Sequence, residues 1–284
     1  MQPLNEDLVP LADGRELSWC EFGHPRGRPL LYCHGLPGSR YEAAVLDESA
    51  RAREIRVLCP ERPGYGSTSA AGPRRLGDET DDIQALVRHL HLERFDVLGF
   101  SGGGPHALAI AAAMPERLDR VSLVSSWAPF DRTGLDGMAE GLQELWSLGR
   151  TDFAAFREAL TGAVENAGGA RAMMTATAAD ADRTTLQSEP VGSLYGPALD
   201  ESTRRGCTGM LEDAEALLRP WLFDPEHIQV PVQLYHGEAD PNAPVVMGRW
   251  LAEQLPRAEY HEWPGAAHFA AFSRWPAILD SITD

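Results

Sequence analysis

A serine hydroxyl is a poor nucleophile until a base takes its proton and nearby donors stabilise the charge that develops. One stretch of this chain is suited to present such a serine: Phe95-Asp96-Val97-Leu98-Gly99-Phe100-Ser101-Gly102-Gly103-Gly104-Pro105-His106-Ala107. Its first half is apolar and reads as a buried strand. From His106 to Met114 it is rich in Ala and Leu, good helix formers. Between them lies Gly99-Phe100-Ser101-Gly102-Gly103, the G-x-S-x-G pattern of a sharp strand-to-helix turn that exposes its serine. The positions two before and two after the serine must be small, because strand and helix crowd them. The turn also aims the Gly102 N–H toward a developing oxyanion.

A base and an acid must be found elsewhere. Histidine suits the first role, with an unperturbed pKa of ~6.5, and a buried carboxylate then fixes the imidazole tautomer and stabilises its charge. Three histidines lie near strand material in the C-terminal third: His236, His261 and His268. His261 sits inside a strand run, before its carboxyl end. His236 closes a strand, but the loop beginning there, Gly237-Glu238-Ala239-Asp240-Pro241-Asn242, must also deliver a carboxylate. His268 follows the last strand in a Pro-Gly-Ala-Ala loop that can carry its ring across to Ser101. The base is therefore assigned to His268; the loop after His236 offers Asp240 as a candidate acid, with Glu238 as the fallback. Asp-Pro is also a good turn opener.

The same glycines support a rival motif. Gly102-Gly103-Gly104-Pro105-His106-Ala107 fits G-x-G-x-x-A, the dinucleotide fingerprint. That reading needs an acidic residue closing the next strand. The next strand, Arg120 to Ser126, ends in serines and Trp127. The fingerprint is disfavoured on that ground.

Strand runs alternate with helical patterns on either side of the elbow. Glu16–Phe22 reads as a strand of an opening hairpin. Pro29–Cys33, Ile55–Pro60 and the segment around Val121–Val124 are short apolar runs, as buried parallel strands should be. Helices are expected over Tyr41–Arg53 and Gly77–Leu90. From Asp131 to about Asp224 the rhythm breaks. Helical patterns appear around Leu135–Leu148, Phe153–Val164 and Met210–Leu218, with breakers at Gly168-Gly169, Pro190 and Gly196-Pro197. Strands resume at Val230–Gly237 and near Glu259–Trp263, with a helix between them and another after His268. The pattern predicts an α/β fold: a mostly parallel central sheet flanked by helices, with residues 1–130 and 226–284 as the core and 131–225 as a helical cap insertion. Ligands bind such sheets beyond the carboxyl ends of the strands. Ser101, His34-Gly35-Leu36, Asp240 and His268 all fall there.

Bulk properties narrow the partners. The 284 residues carry a net charge of −17, and all 25 basic residues are Arg. Such a charge disfavours nucleic acid or an anionic membrane as partner. The hydrophobic fraction of 43% can furnish a sizeable core, yet no run approaches the ~20 apolar residues of a membrane span. The opening Met1–Asp7 has neither a basic region nor an apolar signal core, so a cytoplasmic location is expected. Cys20, Cys33, Cys59 and Cys207 form no C-x-x-C pair and are expected as free thiols. No metal signature appears among the nine histidines; His89 and His91 are expected at the surface.

Taken together, His34-Gly35, Arg62-Pro63-Gly64-Tyr65-Gly66, the Gly99–Gly103 elbow, Gly237–Asp240 and Gly265-Ala266-Ala267-His268 resemble the α/β-hydrolase fold superfamily, in a form with a helical cap. The chain order Ser, Asp, His is that of these enzymes. The resemblance implies Ser101 as nucleophile, Asp240 as orienting acid and His268 as base. It also implies an oxyanion hole from the backbone N–H groups of Leu36 and Gly102, and no metal or organic cofactor. His34 then shapes its loop and is not a base. Epoxide hydrolases and haloalkane dehalogenases are disfavoured, because they carry Asp where Ser101 stands.

The expected activity is hydrolysis of a small or medium apolar ester, thioester or lactone through an acyl-enzyme. The partner is then a small-molecule substrate. Trp127 and Phe269 adjoin strand ends and the base and are the expected pocket residues. Three alternatives stand beside it. The His34-Gly35-Leu36-Pro37-Gly38 loop resembles the His-Gly-Gly-Pro-Gly loop of proline iminopeptidases, with Leu36 replacing a glycine. In that case an acidic cluster such as Glu212, Asp213 and Glu215 would hold a substrate amine, although those residues read more simply as a solvated helix face. A cofactor-free lyase or cyclase and a hydrolase-like small-molecule receptor share the same scaffold, and fold does not fix function.

Overall fold

The computed structural model describes residues 2–283. Its strands are β1 Asn5–Pro10, β2 Glu16–Gly23, β3 Arg28–Cys33, β4 Ile55–Pro60, β5 Phe95–Phe100, β6 Leu118–Val124, β7 Val232–Gly237 and β8 Ala258–Trp263. They form one sheet in the order β1-β2-β4-β3-β5-β6-β7-β8. The β1–β2 and β2–β4 pairings are antiparallel; those from β4 through β3 to β8 are parallel. Every residue of β5 is buried, as a central strand covered on both faces requires. β1 is different. Its Asn5-Glu6-Asp7 start is polar and exposed, so only pairing with β2, from Asn5 opposite Glu21 to Pro10 opposite Glu16, marks it as a strand.

The helices are α1 Asp47–Ala52, α2 Thr80–His89, α3 Gly103–Ala113, α4 Phe130–Thr133, α5 Glu140–Thr151, α6 Phe153–Ala167, α7 Ala170–Thr177, α8 Asp180–Gln187, α9 Val191–Ser202, α10 Thr208–Leu218, α11 Val245–Gln254 and α12 Trp275–Thr283. The expected helix over Tyr41–Arg53 is a 3-10 segment, Arg40–Leu46, running into the short α1. Two apolar clusters cover the faces of the sheet, one built on Leu31, Leu58, Val97 and Leu123, the other on Leu30, Tyr32, Leu98 and Phe100. Alternate residues of β3 and β5 serve opposite clusters, as strand geometry demands.

Helices α4 to α10 lie between β6 and β7, with no strand among them. α5, α6 and α10 fall on the three helical patterns of the sequence. The Gly168-Gly169 pair separates α6 from α7, with φ of +86° and +125°. α7, α8 and α9 carried no clear pattern. In α9 the supposed breakers are absorbed: Pro190 stands at the helix start, where a missing N–H costs nothing, and Pro197 sits inside the helix.

Candidate active site

The elbow is set by steric limits. Ser101 has φ +54°, a left-handed conformation that costs a non-glycine residue on the order of 1–3 kcal/mol. It is held there by its N–H, which donates to Val124 O of β6 at 2.9 Å, and by its own carbonyl, which accepts from Gly104 N–H at 3.0 Å. A Cβ on Gly99 would lie 2.6 Å from Gly103 O, and one on Gly103 would lie 2.1 Å from Cys33 O. Both flanking glycines are therefore required by backbone contacts. No bound dinucleotide would be needed to explain them.

Ser101, His268 and Asp240 converge from three separate strand ends. His268 Nε2 is 3.0 Å from Ser101 Oγ, and His268 Nδ1 is 2.7 Å from Asp240 Oδ2. All three are buried. The other Asp240 oxygen accepts from the N–H groups of Asn242 and Ala243, each at 2.8 Å. Burial alone would raise the Asp240 pKa, but the His268 ring and these N–H donors outweigh it and hold the carboxyl below its ordinary range. Burial opposes a charged His268, and the facing Asp240 outweighs that too, so the imidazole is held above its ordinary value. Asp182 and Glu42 add smaller contributions in the same direction. A base with raised affinity for the serine proton and a carboxylate that stays ionised are what deprotonation of a hydroxyl needs.

The remaining candidates fall into other roles. Glu238 is exposed and accepts from Gly265 N–H at 2.9 Å, away from the His268 ring. His236 Nε2 donates to Ala243 O at 2.6 Å, and burial pushes its pKa down. His261 bonds Gln233 on the neighbouring strand and stacks on Tyr235. His34 is fully occupied: its Nδ1 donates to Gly35 O at 2.9 Å and its Nε2 accepts from Arg62 N–H at 3.1 Å. Burial, with Arg62 beside it, holds its pKa far below the ordinary value. His34 thus shapes the loop as a neutral ring.

That loop brings Leu36 beside the elbow. A Cβ on Gly102 would lie 3.3 Å from Leu36 N. Among the described residues neither the Leu36 nor the Gly102 N–H donates to another protein group. Two free amides therefore adjoin Ser101. The loop is fixed from below by Glu42, which accepts from Gly35 N–H at 2.8 Å and Tyr32 OH at 2.9 Å. Arg62 fixes it from the side, donating to Gly35 O at 2.7 Å and also to His34 O.

A cavity of about 580 Å³ lies on α7 and α9, remote from Ser101. The one that reaches the reactive atoms is about 500 Å³ and is lined by Ser101, His268, Leu36, Trp127 and Phe269. Its far walls come from the segment between β6 and β7, including Leu142, Trp146, Phe156, Met173 and Tyr195. Trp127 and Phe269 both line it. Trp127 is fixed by its indole N–H on Asn242 O at 3.1 Å and by edge contact with Trp146. Among the described residues, no ionisable acid or base other than His268 and Tyr195 lines the cavity.

The acidic cluster of α10 differs from the sequence reading. Glu212 and Asp213 are buried, not a solvated face. Asp213 pairs with Arg62 at 2.6 Å and with Arg74, and Glu212 pairs with Arg74 at 2.8 Å. Both carboxylates are consumed by the arginines, so neither is free for a substrate amine. Only Glu215 remains at the helix surface, paired with Arg219.

Comparison with known proteins agrees with this architecture. The family profile described as alpha/beta hydrolase fold matches residues 28–274.

This chain belongs to the α/β hydrolase fold family.

It is similar to a pimeloyl-[acyl-carrier protein] methyl ester esterase of Chromobacterium violaceum, 31% identical over 84% of this chain and 85% of the relative. It is also similar to a putative proline iminopeptidase of Mycoplasma pneumoniae, 26% identical over 94% of this chain and 93% of the relative. A dihydrolipoyllysine-residue acetyltransferase component of an acetoin cleaving system from Pseudomonas putida is 34% identical, but over 40% of this chain and only 30% of its own length. Among solved structures, an enol-lactonase from Burkholderia xenovorans LB400 superposes with a TM-score of 0.71 at 21% identity, over 98% of this chain and all of the other. That last likeness concerns the fold. No helix among the described residues is long and apolar enough to cross a membrane.

Four residues hold the site from around it; of these the sequence marked only Arg62, as part of a motif and with no role assigned. Glu42 and Arg62 brace the Leu36 loop. Ser125, at φ +49°, donates its hydroxyl to His268 O at 3.2 Å. Asp182 accepts from Phe269 N–H at 2.8 Å. Each contact joins segments distant in the chain, so no local pattern announces it.

Proposed function

We propose that this protein is a cofactor-free serine hydrolase acting on a small or medium apolar carboxylic ester, thioester or lactone through an acyl-enzyme on Ser101. The observation that carries the reading is the Ser101–His268–Asp240 relay opening into an apolar cavity with no acidic or basic side chain besides His268 and Tyr195. His268 Nε2 takes the Ser101 proton as the Oγ–C bond forms. The carbonyl electrons move onto oxygen, which the Leu36 and Gly102 N–H groups receive. Asp240 stays ionised and stabilises the imidazolium. Collapse breaks the bond to the leaving group, which takes its proton from His268. Water, deprotonated by the same ring, then attacks the acyl carbon, and its collapse frees the acid and restores Ser101.

A neutral substrate suits this cavity, because burying an uncompensated charge costs several kcal/mol or more. The alkyl and aromatic walls favour an apolar acyl or alcohol group. The likeness to a putative proline iminopeptidase raises an amidase reading. An aminopeptidase must hold an ammonium near the scissile bond, and the carboxylates Glu212 and Asp213 are already paired with arginine. The helices between β6 and β7 serve as a cap in this account and set substrate choice, since they supply most of the far wall.

The test is a panel of p-nitrophenyl esters of increasing acyl length, beside aminoacyl p-nitroanilides, run on wild type and Ser101→Ala. The expected result is steady turnover of esters, an optimum at short to medium acyl chains, and none with the variant. Turnover of the anilides in preference to every ester would replace this reading with the amidase one. A single turnover with retained product would point to a receptor.

A further inference from the structure

His268 is the first residue of a short 3-10 segment, His268–Ser273, whose own N-cap position is Ala267. Alanine has no side-chain acceptor, so the first N–H groups of that segment have no local partner. The Phe269 N–H is satisfied from elsewhere: it donates to Asp182 Oδ1 at 2.8 Å, across 87 residues of chain. Asp182 belongs to α8, in the helical segment that forms the cavity wall. Its side chain is buried, and its other oxygen has no partner among the described residues. A buried carboxylate committed to one backbone N–H is costly unless that contact matters. Phe269 in turn packs edge-on against the His268 ring, with centroids 5.0 Å apart, and against Tyr195 of α9.

We propose that Asp182 is a positioning residue that caps the base loop from the helical segment between β6 and β7, so that His268 is held for reaction only while α8 is seated. The proposal rests on the reading of His268 as base. Its physical content is a coupling. When α8 moves away from the base loop, the Phe269 N–H loses its acceptor and the His268 loop loses one of its anchors. Its remaining anchors are the Ser125 hydroxyl on His268 O, Asp240 on the ring, and the bonds from Gly265 N–H to Glu238 and from Ala239 N–H to Ala266 O. Seating of α8 restores the Phe269 contact and with it the base geometry. The titratable groups whose charge acts on the His268 ring are Asp240 from the loop after β7, which bonds it, Asp182 from α8, Glu42 from the segment after β3, and His236 from β7. Asp182 therefore also adds a negative charge that favours the imidazolium. Removing that charge lowers the affinity of His268 for its proton.

The experiment compares Asp182→Ala, Asp182→Asn and His268→Ala with wild type, using the best p-nitrophenyl ester across pH. Asp182→Ala is expected to lower kcat about 10- to 100-fold with KM within about threefold, as misplacement of a reacting group does. The asparagine amide oxygen can still accept from Phe269 N–H. Asp182→Asn is therefore expected to recover most of kcat, while the midpoint of kcat/KM moves to lower pH. Should Asp182→Ala fail to fold, the Asn variant decides through its midpoint alone. An Asp182→Ala enzyme within twofold of wild type in kcat overturns the proposal. So does an equal loss in both variants with an unmoved midpoint. His268→Ala separates the two claims. If it stays active the base assignment itself falls, and if it is inactive while Asp182→Ala is normal only the coupling falls.

Discussion

Replacing Asp213 by Asn tests how the helical segment is fastened to the site. Asp213 is buried on α10 between two guanidinium groups, Arg62 at 2.6 Å and Arg74. Burial would raise its pKa, but the two arginines outweigh that and hold the carboxyl well below the usual range. Asparagine keeps the volume but removes the charge, leaving Arg62 wholly buried and unpaired. Breaking a buried pair in this way costs about 3–5 kcal/mol. The surface pair Glu215–Arg219 is the internal control, since an i,i+4 pair on a helix face contributes only about 0.3–0.5 kcal/mol. Urea unfolding monitored by tryptophan fluorescence should separate Asp213→Asn from Glu215→Gln by several kcal/mol. Arg62 also holds the carbonyls of His34 and Gly35, so Leu36 should lose its placement. Ester kcat should then fall in Asp213→Asn at temperatures where the variant is folded. The wild-type advantage should itself vanish on acidification, because a depressed carboxyl contributes stability above its unfolded pKa and loses it as pH falls through the folded one. If Asp213→Asn lies within 1 kcal/mol of the Glu215→Gln control and turns over ester normally, the buried network is not what fastens α10.

Three further outcomes follow from the same geometry. The kcat/KM of wild type should rise with pH through a single ionisation lying above the ordinary ~6.5 of imidazole, since Asp240 outweighs burial at His268; a midpoint below that value would contradict the pairing. His268→Ala should cut turnover by orders of magnitude, whereas His236→Ala, whose ring is spent on Ala243 O, should keep most of it in the same assay. Burial pushes the Glu42 carboxyl up to about 7 from an ordinary 4.5. Folding then loses stability as pH rises between those values, by roughly 3 kcal/mol at ~1.4 kcal/mol per unit. In chemical denaturation across pH, Glu42→Gln should flatten that slope, and an unchanged slope would show that Glu42 does not titrate there.

What was legible in the sequence was whatever is enforced locally. The elbow could be read because Gly99 and Gly103 meet backbone atoms at distances no side chain tolerates, and the strand before Ser101 because it is apolar apart from Asp96. His268, unlike His236 and His261, stands in a loop beyond a strand end, and the structure places its ring beside Ser101 and Asp240. The opening hairpin was read from its second strand, but the bounds of β1 were not, because its residues are polar and only β2 makes them a strand. α9 was missed because Pro190 and Gly196-Pro197, read as breakers, are accommodated where tertiary packing overrides propensity, and α7 and α8 because neither carries a clear apolar pattern. The error over Glu212 and Asp213 has the same root. Alone they look like a solvated helix face, and their partners Arg62 and Arg74 are far away in the chain. Asp182, Ser125 and Glu42 support the site through contacts of that long-range kind, which composition and spacing do not carry.

The central claim is that Ser101 becomes acylated by way of His268. Its most direct test is intact-mass and peptide-mapping analysis of the protein after exposure to a fluorophosphonate. One adduct is expected, on the peptide bearing Ser101, absent from Ser101→Ala and strongly slowed in His268→Ala, with both variants folded. An adduct on another serine with Ser101 free, or undiminished labelling of Ser101→Ala, would contradict the account.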